Sequence, residues 1–485
     1  MNESLFRLDP VARIPVRPYQ NGPVDLVIDG VGEKTVLVYR ALREAVIDGR
    51  LPAGHRLPAT RVLAADLGVS RGSVATAYER LVAEGYLCSR VGSGTFVAAL
   101  AALAKPAREA VDPLRPRDPL APVPTSGEEA APRYDFRTGI PDARLFPFDT
   151  WRRLVAAEMR IGANSPGTYA APAGHPALRA AIARYLGYAR SVRAAAGDVV
   201  VTNGTQHGLD LIARVLLRAG DVVAVEEPGY PPARRLFAAL GCRVVGVPVD
   251  EEGLVVAELP GECRLVYVTP SHQFPLGGVM SLGRRRELLD WASVRPAAIV
   301  EDDYDSEFRF SARPLEPLYG LDSAGRVIYA GTFSKSMLPS IRAGFVLAPP
   351  GLRSALAAAR QLGDGYGAPS LQAALARFID DGHLARHIRK AGIEYARRRT
   401  AVIDALSDIS DLSVVPSAAG LHVTALYRRA AAPVVAAAVA RGLAVEDLGG
   451  YATSAVSGFV FGFGAVDPAL IDEGLALFAD LLARA

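Results

Sequence analysis

Lys335 is the residue of this chain whose type and setting best suit covalent chemistry. The sequence holds four lysines, Lys34, Lys105, Lys335 and Lys390, within a Lys+Arg total of 54. Arginine stays charged and cannot form an imine, whereas a lysine amine can. Lys335 follows an apolar run, Val327 to Ala330, through the turn Gly331-Thr332-Phe333-Ser334. It therefore sits where a buried strand ends and the chain is exposed.

Four further clusters fall after apolar runs. Glu301-Asp302-Asp303-Tyr304-Asp305 places acids where a carboxylate is costly unless a cation pairs with it, and a protonated ring nitrogen is such a cation. Asn203-Gly204-Thr205-Gln206 opens a helix whose free N–H groups and Thr205 hydroxyl can hold a phosphate. Tyr230, in Glu226-Glu227-Pro228-Gly229-Tyr230-Pro231, can stack on a flat heterocycle. Thr269-Pro270-Ser271-His272-Gln273-Phe274-Pro275-Leu276-Gly277 offers His272 and Gln273 as donors. Thr332 and Ser334 supply hydroxyls beside Lys335, and Arg342 supplies a fork for phosphate. Read singly, each is an ordinary turn or packing residue. Read together they describe one ligand, a phosphorylated, flat, aldehyde-bearing pyridine joined to the lysine as an imine, with an acid on its ring nitrogen. A sixth stretch, Thr168-Tyr169-Ala170-Ala171-Pro172-Ala173-Gly174, reads as a loop that could carry Tyr169 into a neighbouring site.

The elements that must position these residues are apolar runs at 198–202, 222–226, 244–247, 265–268, 297–301 and 327–330, with a helix over 207–217. Strands apolar on both faces predict a buried, mostly parallel sheet. Sites in such sheets lie beyond the strand C-termini, which is where the clusters fall.

The first hundred residues follow another pattern. A helix begins at Thr35, a plausible cap, and Gly49 and Pro52 stop it. Thr60 can cap a short helix carrying Leu63, Ala64 and Leu67, and Ser70 can cap a helix over 71–84. That helix buries Val74, Ala77, Tyr78 and Leu81 and leaves Arg71, Ser73 and Thr76 free in its first turns. A hairpin follows from Gly85-Tyr86-Leu87, with Gly92-Ser93-Gly94 at its tip. Helix, helix, turn, helix and hairpin make a winged helix-turn-helix, whose third helix fits the DNA major groove.

A chain of 485 residues predicts two or three domains. The N-terminus lacks the pattern of a signal peptide, and no apolar run spans a bilayer, so a cytoplasmic protein without a membrane partner is expected. Three cysteines without a Cys-x-x-Cys pair argue against a disulfide framework or a metal site. Residues 98–133 hold seven prolines among alanine and arginine, the composition of a semi-rigid spacer.

Two resemblances arise from these motifs. Residues 35–97 resemble the GntR-type DNA-binding head through Arg56-Leu57-Pro58-Ala59-Thr60-Arg61-Val62-Leu63-Ala64, Leu67-Gly68-Val69-Ser70-Arg71-Gly72-Ser73-Val74, Glu84-Gly85-Tyr86-Leu87 and Gly92-Ser93-Gly94-Thr95-Phe96-Val97. That resemblance implies Arg61, Arg71, Ser73, Thr76 and Gly94 as DNA contacts. Residues from about 134 resemble a fold-type I aminotransferase body through Thr202-Asn203-Gly204-Thr205-Gln206, Glu227-Pro228-Gly229-Tyr230, Thr269 to Pro275, Glu301 to Phe308 and Gly331 to Lys335. Head and body together resemble the MocR/GabR family of transcription regulators.

The implied architecture is α/β: a winged helix-turn-helix over 30–97, a spacer over 98–133, and an effector body over 134–485. The body would have a mostly parallel sheet and a smaller C-terminal α+β subdomain. By the resemblance Lys335 carries pyridoxal phosphate, Asp302 faces the ring nitrogen, and His272 and Tyr304 bond the ring hydroxyl. Tyr230 stacks on the ring. Gly204, Thr205, Thr332 and Arg342, with the Ser334 hydroxyl, hold the phosphate, and Tyr169 reaches the partner subunit's site. The family's dimer is domain-swapped, and its partners are a double-stranded operator and a small-molecule effector. One departure stands out. Members that sense or transaminate amino acids grip the carboxylate with an arginine in the C-terminal subdomain, yet Gly442 to Leu482 contains neither Arg nor Lys; Arg428 and Arg429 lie upstream, and His422 is a weaker substitute. The expectation is a pyridoxal-phosphate-dependent regulator with vestigial turnover, its effector the cofactor itself or an amine without an α-carboxylate. The alternative is an active aminotransferase with a localising head.

Overall fold

The computed structural model describes residues 32–99, 132–160, 168–310 and 316–484, together with Leu26. The chain divides into two compact units between residues 116 and 117. Residues 100–131 of the Pro-rich spacer lie outside the described residues.

The first unit holds helices Lys34–Ile47, Thr60–Asp66 and Arg71–Ala83, then an antiparallel hairpin of Leu87–Arg90 and Gly94–Val97. Val38, Leu42, Ala45 and Val46 share one face of the first helix, and Val74, Ala77, Tyr78 and Leu81 share one face of the third, because residues three and four apart stack on a helix. Leu57, Leu63, Leu87 and Val97 complete the core. Full burial contributes roughly 1.5–3 kcal/mol for each Val or Leu. Two expected caps are corrected. The first helix starts at Lys34 with Glu33 as its N-cap, and Thr60 lies inside the second helix behind Ala59; neither N-cap offers a side-chain bond. Ser70 does cap the third helix, its hydroxyl accepting from the Ser73 N–H at 3.0 Å.

The second unit is built on an eight-stranded sheet. Its order is Val199–Thr202, Gly344–Leu347, Val327–Thr332, Ala298–Asp303, Cys263–Val268, Val222–Glu227, Arg243–Asp250 and Gly253–Leu254. The five strands from Val327–Thr332 to Arg243–Asp250 run parallel; Gly344–Leu347 is antiparallel to both neighbours. Val223, Val225, Leu265, Val300 and Ile328 pack with Leu209, Ile212 and Phe237, while alternate residues Val222, Ala224, Val266, Ile299 and Val327 pack with Leu288 and Ala292. The period of two gives the sheet two apolar faces, each covered by helices.

Two strand ends differ from the sequence expectation. Pairing continues through Ala330↔Asp302 and Gly331↔Asp303, so the strands run to Asp303 and Thr332 rather than to Glu301 and Ala330. The acids Asp302 and Asp303 are therefore part of the ladder, and their backbone is held by its hydrogen bonds instead of lying in a loop.

The C-terminal part forms an antiparallel sheet in the order Leu412–Val414, His422–Tyr427, Gly458–Gly462 and Glu446–Asp447. Helices His383–Ser407 and Ile471–Ala483 share one core with it, which includes Tyr395, Val402, Phe459, Phe461 and Phe478. Tyr134–Asp135 pairs in parallel with Leu443–Ala444, which ties the start of the body to this subdomain and carries Thr138 and Gly139 toward the sheet's C-terminal edge.

Candidate functional site

A cavity of ≈ 360 Å³ lies at that edge. Gly204, Thr205, Tyr230, Asp302, Tyr304, Thr332, Ser334, Lys335 and Arg342 line it. A larger surface groove, ≈ 1180 Å³ and lined in part by Arg190, Val192 and Tyr319, holds none of the candidate residues.

Lys335 stands in the turn after Val327–Thr332, half-buried, and its Nζ donates to the Gly139 carbonyl at 2.6 Å. Gly139 has φ +72, and a Cβ there would lie 2.5 Å from Lys335 Nζ, so a side chain at 139 would displace the amine. Burial lowers the amine's pKa below the usual lysine range, opposed by the charges of Asp305, Asp302 and Glu446. A lowered pKa leaves more of the nucleophilic, neutral amine.

Asp302 is buried at the end of its strand. Tyr267 donates to its Oδ2 at 2.7 Å and Thr205 to its Oδ1 at 3.4 Å. Burial raises its pKa to about 7, against the bond from Tyr267. Among the described residues no ion pair involves Asp302. Its neighbour Asp303 has a cation: Arg190 Nε lies 2.8 Å from Asp303 Oδ2, both side chains almost fully buried. Burial pushes Asp303 up, but the Arg190 charge, the bonds from Ser306 and Tyr329 and the charge of Arg309 together outweigh it and hold the carboxyl below the usual range. Two adjacent acids thus have opposite environments, and Asp302 is the one left facing the cavity without a cation.

Across the cavity, Gly204 (φ +103) precedes helix Thr205–Leu216, and a Cβ there would meet the Arg342 guanidinium at 3.5 Å. Arg342 itself has φ 51 and closes the short helix Pro339–Ile341. Thr332 Oγ1 bonds Ser334 Oγ at 2.9 Å beside them. A helix N-terminus, two hydroxyls and a guanidinium facing one corner fit a phosphate. Tyr230 sits edge-on to Phe274, ring centroids 5.7 Å apart, and burial pushes its hydroxyl up to about 12.

Two candidates lie elsewhere. His272 does not line the cavity. Its Nδ1 lies 3.0 Å from Asp305 Oδ1 and 2.9 Å from Tyr304 Oη, and its Nε2 lies 3.0 Å from Ser417 Oγ, so it supports Tyr304 from behind. His272, Asp305 and His422 have ligand-type atoms within 4.8 Å of one another. They are taken up by these bonds and by the contact of His422 Nε2 with the Pro275 carbonyl, 3.0 Å away. Tyr169 is 92% exposed, against the edge of Tyr366, outside the cavity of its own chain.

His422 does line the cavity, but burial, then the charge of His272, holds its pKa well below the usual range. It is neutral and cannot replace a cationic carboxylate clamp. Arg428 and Arg429 are on the surface, the latter paired with Asp411. Lys335 and Arg342 are the only cations among the cavity's lining residues.

In the head, Arg61, Arg71, Thr76 and Gly94 are exposed. Ser73 differs from expectation: it is half-buried, and its hydroxyl bonds Ser70 Oγ at 2.9 Å, so it completes the helix cap. Arg56, exposed beside the wing, would lie 3.2 Å from a Cβ on Gly94 and adds a cation to that edge.

Sequence reasoning missed Gly139, Tyr267 and Glu446. Gly139 lies before the first motif, and its turn sequence Gly139-Ile140-Pro141 was its sole local signal. Tyr267 reads as one more apolar strand residue until its hydroxyl is seen on Asp302.

Comparison with known proteins follows the same division. The pattern of bacterial regulatory proteins of the gntR family matches residues 34–97, and that of aminotransferase class I and II matches residues 144–459. The probable rhizopine catabolism regulatory protein MocR of Rhizobium meliloti is 39% identical over 450 residues, 90% of this chain and 91% of that protein. The HTH-type pyridoxine biosynthesis transcriptional regulator PdxR of Corynebacterium glutamicum is 36% identical over 442 residues, 90% of this chain and 94% of that protein. Among solved structures, kynurenine aminotransferase of Pyrococcus horikoshii, in complex with PMP, superposes with a TM-score of 0.68 at 28% identity, covering 74% of this chain and 92% of that one. LysN, an α-aminoadipate aminotransferase of Thermus thermophilus complexed with N-(5'-phosphopyridoxyl)-L-leucine, gives 0.66 at 27% identity, covering 72% and 93%.

A winged helix-turn-helix joined in one chain to a fold-type I aminotransferase body defines a class of transcription regulator. This chain belongs to the MocR-type regulators of the GntR family. No described helix is long and apolar enough to cross a membrane.

Proposed function

We propose that the body binds pyridoxal phosphate at Lys335 and that occupancy of this site controls how the heads of a homodimer engage a double-stranded operator in the cytoplasm. The observation that carries this reading is the convergence, in one cavity, of an amine of lowered pKa, a buried carboxylate without a cation, and a phosphate-shaped corner. Pyridoxal phosphate, when bound, supplies an aldehyde that condenses with an amine and a ring that draws electrons from it. Lys335 would hold it covalently, with Gly139 keeping the amine in place. Asp302 would pair with the ring nitrogen, oriented by Tyr267 and Thr205. Gly204, Thr205, Thr332, Ser334 and Arg342 would hold the phosphate. Tyr230 would cover the ring face, and Tyr304, backed by His272, would bond the ring hydroxyl. Tyr169, exposed on its own chain, would serve the partner subunit's site.

In the head, Arg71 and Thr76 would reach the major groove from the third helix. Arg61, Arg56 and the wing at Gly94 would contact the backbone. The phosphopyridoxyl ligand of LysN and the pyridoxine pathway named for PdxR support the cofactor, or an amine that reacts with it, as the signal. An active aminotransferase is the second reading, because Lys335, Asp302 and Tyr230 are the groups such catalysis needs. The missing carboxylate clamp argues against it for α-amino acids: transamination needs the amine held in a fixed attack geometry. The test is a titration of cofactor-free protein with pyridoxal phosphate while operator binding is followed. A change in operator affinity is expected. Identical apo and holo affinities, with rapid conversion of an α-amino acid to its keto acid, would favour the enzyme.

A further inference from the structure

Directly behind Thr138, a lining residue of the cavity beside Gly139, stands an acid rather than an arginine. Glu446, on the edge strand of the C-terminal sheet, accepts the Thr138 N–H at 3.1 Å on Oε1 and the Thr138 hydroxyl at 2.8 Å on Oε2. The Tyr451 hydroxyl also donates to Oε2. Thr138 lines the cavity and is followed by Gly139, whose carbonyl holds Lys335. An ionised carboxylate offers about four lone-pair sites, and these three bonds leave one on Oε1 open. All three donors are neutral, and among the described residues no ion pair joins Glu446 to an arginine. Its charge does reach the Lys335 amine. The site is therefore polarised: Arg342 and the helix N-terminus attract anions at one end, and Glu446 repels them at the other.

Resting on the reading that Lys335 carries the cofactor, we propose that Glu446 determines effector specificity and selects an amine that carries a second hydrogen-bond donor, an ammonium or a hydroxyl, in place of a carboxylate. The reacting amine would approach Lys335, and the second group would reach Glu446, framed by Thr138 and Tyr451. A carboxylate there would face like charge in a partly dehydrated pocket.

Calorimetry of the cofactor-loaded, full-length protein with pentane-1,5-diamine, 5-aminopentan-1-ol, pentylamine and 5-aminopentanoate tests this, with the imine absorbance followed in parallel. The diamine should bind at least about tenfold more tightly than the amino acid, since like-charge juxtaposition is strongly disfavoured. Glu446→Gln should bring that ratio close to one, whereas Tyr451→Phe, which keeps the charge, should preserve the preference. Equal or tighter binding of 5-aminopentanoate by the wild type would overturn the proposal whether or not the variants fold. So would an undiminished preference in Glu446→Gln. A wild type without imine absorbance would overturn the cofactor reading, and this inference with it; imine absorbance without discrimination among the ligands would overturn this inference alone.

Discussion

The head and the body of this regulator use polar groups in opposite ways. The head turns them outward: Arg71 and Thr76 stand exposed on a helix whose other face is core, and Arg61, Arg56 and the wing lie in the open. The body turns them inward: Asp302, Asp303, Glu301 and Glu226 lie toward the C-terminal ends of strands that are buried on both faces, and each of these acids must find a partner inside. Exposed charges are screened and replaceable, and buried ones are not. The head should therefore respond to single substitutions in graded steps, while the body should respond nearly all or none.

The largest expected effect is in the body. Lys335→Ala should abolish the imine absorbance of the purified protein, and an unchanged spectrum would refute the assignment. Next is Asp302→Ala, which would remove the proposed partner of the ring nitrogen and leave the Tyr267 hydroxyl without its acceptor. It should weaken cofactor retention by on the order of 3 kcal/mol, measured by dialysis against cofactor-free buffer. Retention equal to wild type would show that Asp302 is not facing the ring.

Arg71→Ala probes the other side of the comparison. If Arg71 reads a base, operator affinity should drop by about 1–3 kcal/mol with relaxed specificity at one position. A uniform loss across all sequences would make it a phosphate contact. The two heads of the proposed dimer should protect two half-sites in a footprint, and a single isolated half-site would contradict that dimer.

Smaller effects separate structural from contact roles. Ser70→Ala should cost about 1 kcal/mol of head stability by removing the helix cap. Ser73→Ala should act in the same way, through stability, with little change in operator specificity, because its hydroxyl is bound to Ser70. A specificity change without a stability change would return Ser73 to the DNA contacts.

The smallest effect concerns pH. Glu307, 3.0 Å from the Tyr185 hydroxyl, has its pKa raised by burial, reinforced by the charge of Asp303, to about 8. A carboxyl raised in the folded state contributes stability that is full below its unfolded value near 4.5 and is lost as the pH rises to about 8. The melting midpoint of the body should fall between pH 6 and pH 8. Glu307→Gln, neutral throughout, should flatten that fall by about 1–3 °C. Parallel curves for variant and wild type would show that Glu307 is ionised in the folded protein.

The helical faces of the head, the buried parallel strands of the body and the clusters that close them were legible in the sequence. Nine of the eleven body candidates line one cavity because a parallel sheet gathers its strand ends at one edge. All these signals are local: a period of two or of 3.6, a cap, a turn, a run of acids. Tertiary structure decided the rest. Residue 139 reaches Lys335 across 196 positions, and Glu446 reaches Thr138 across 308. It also decided that Asp303 is paired and Asp302 is not, that His272 stands behind Tyr304, and that Ser73 belongs to a cap. Periodicity encodes which face of an element is buried. It carries no record of which distant atom meets a given side chain there, and in a dehydrated pocket that one partner sets the charge, the proton affinity and the role of the residue.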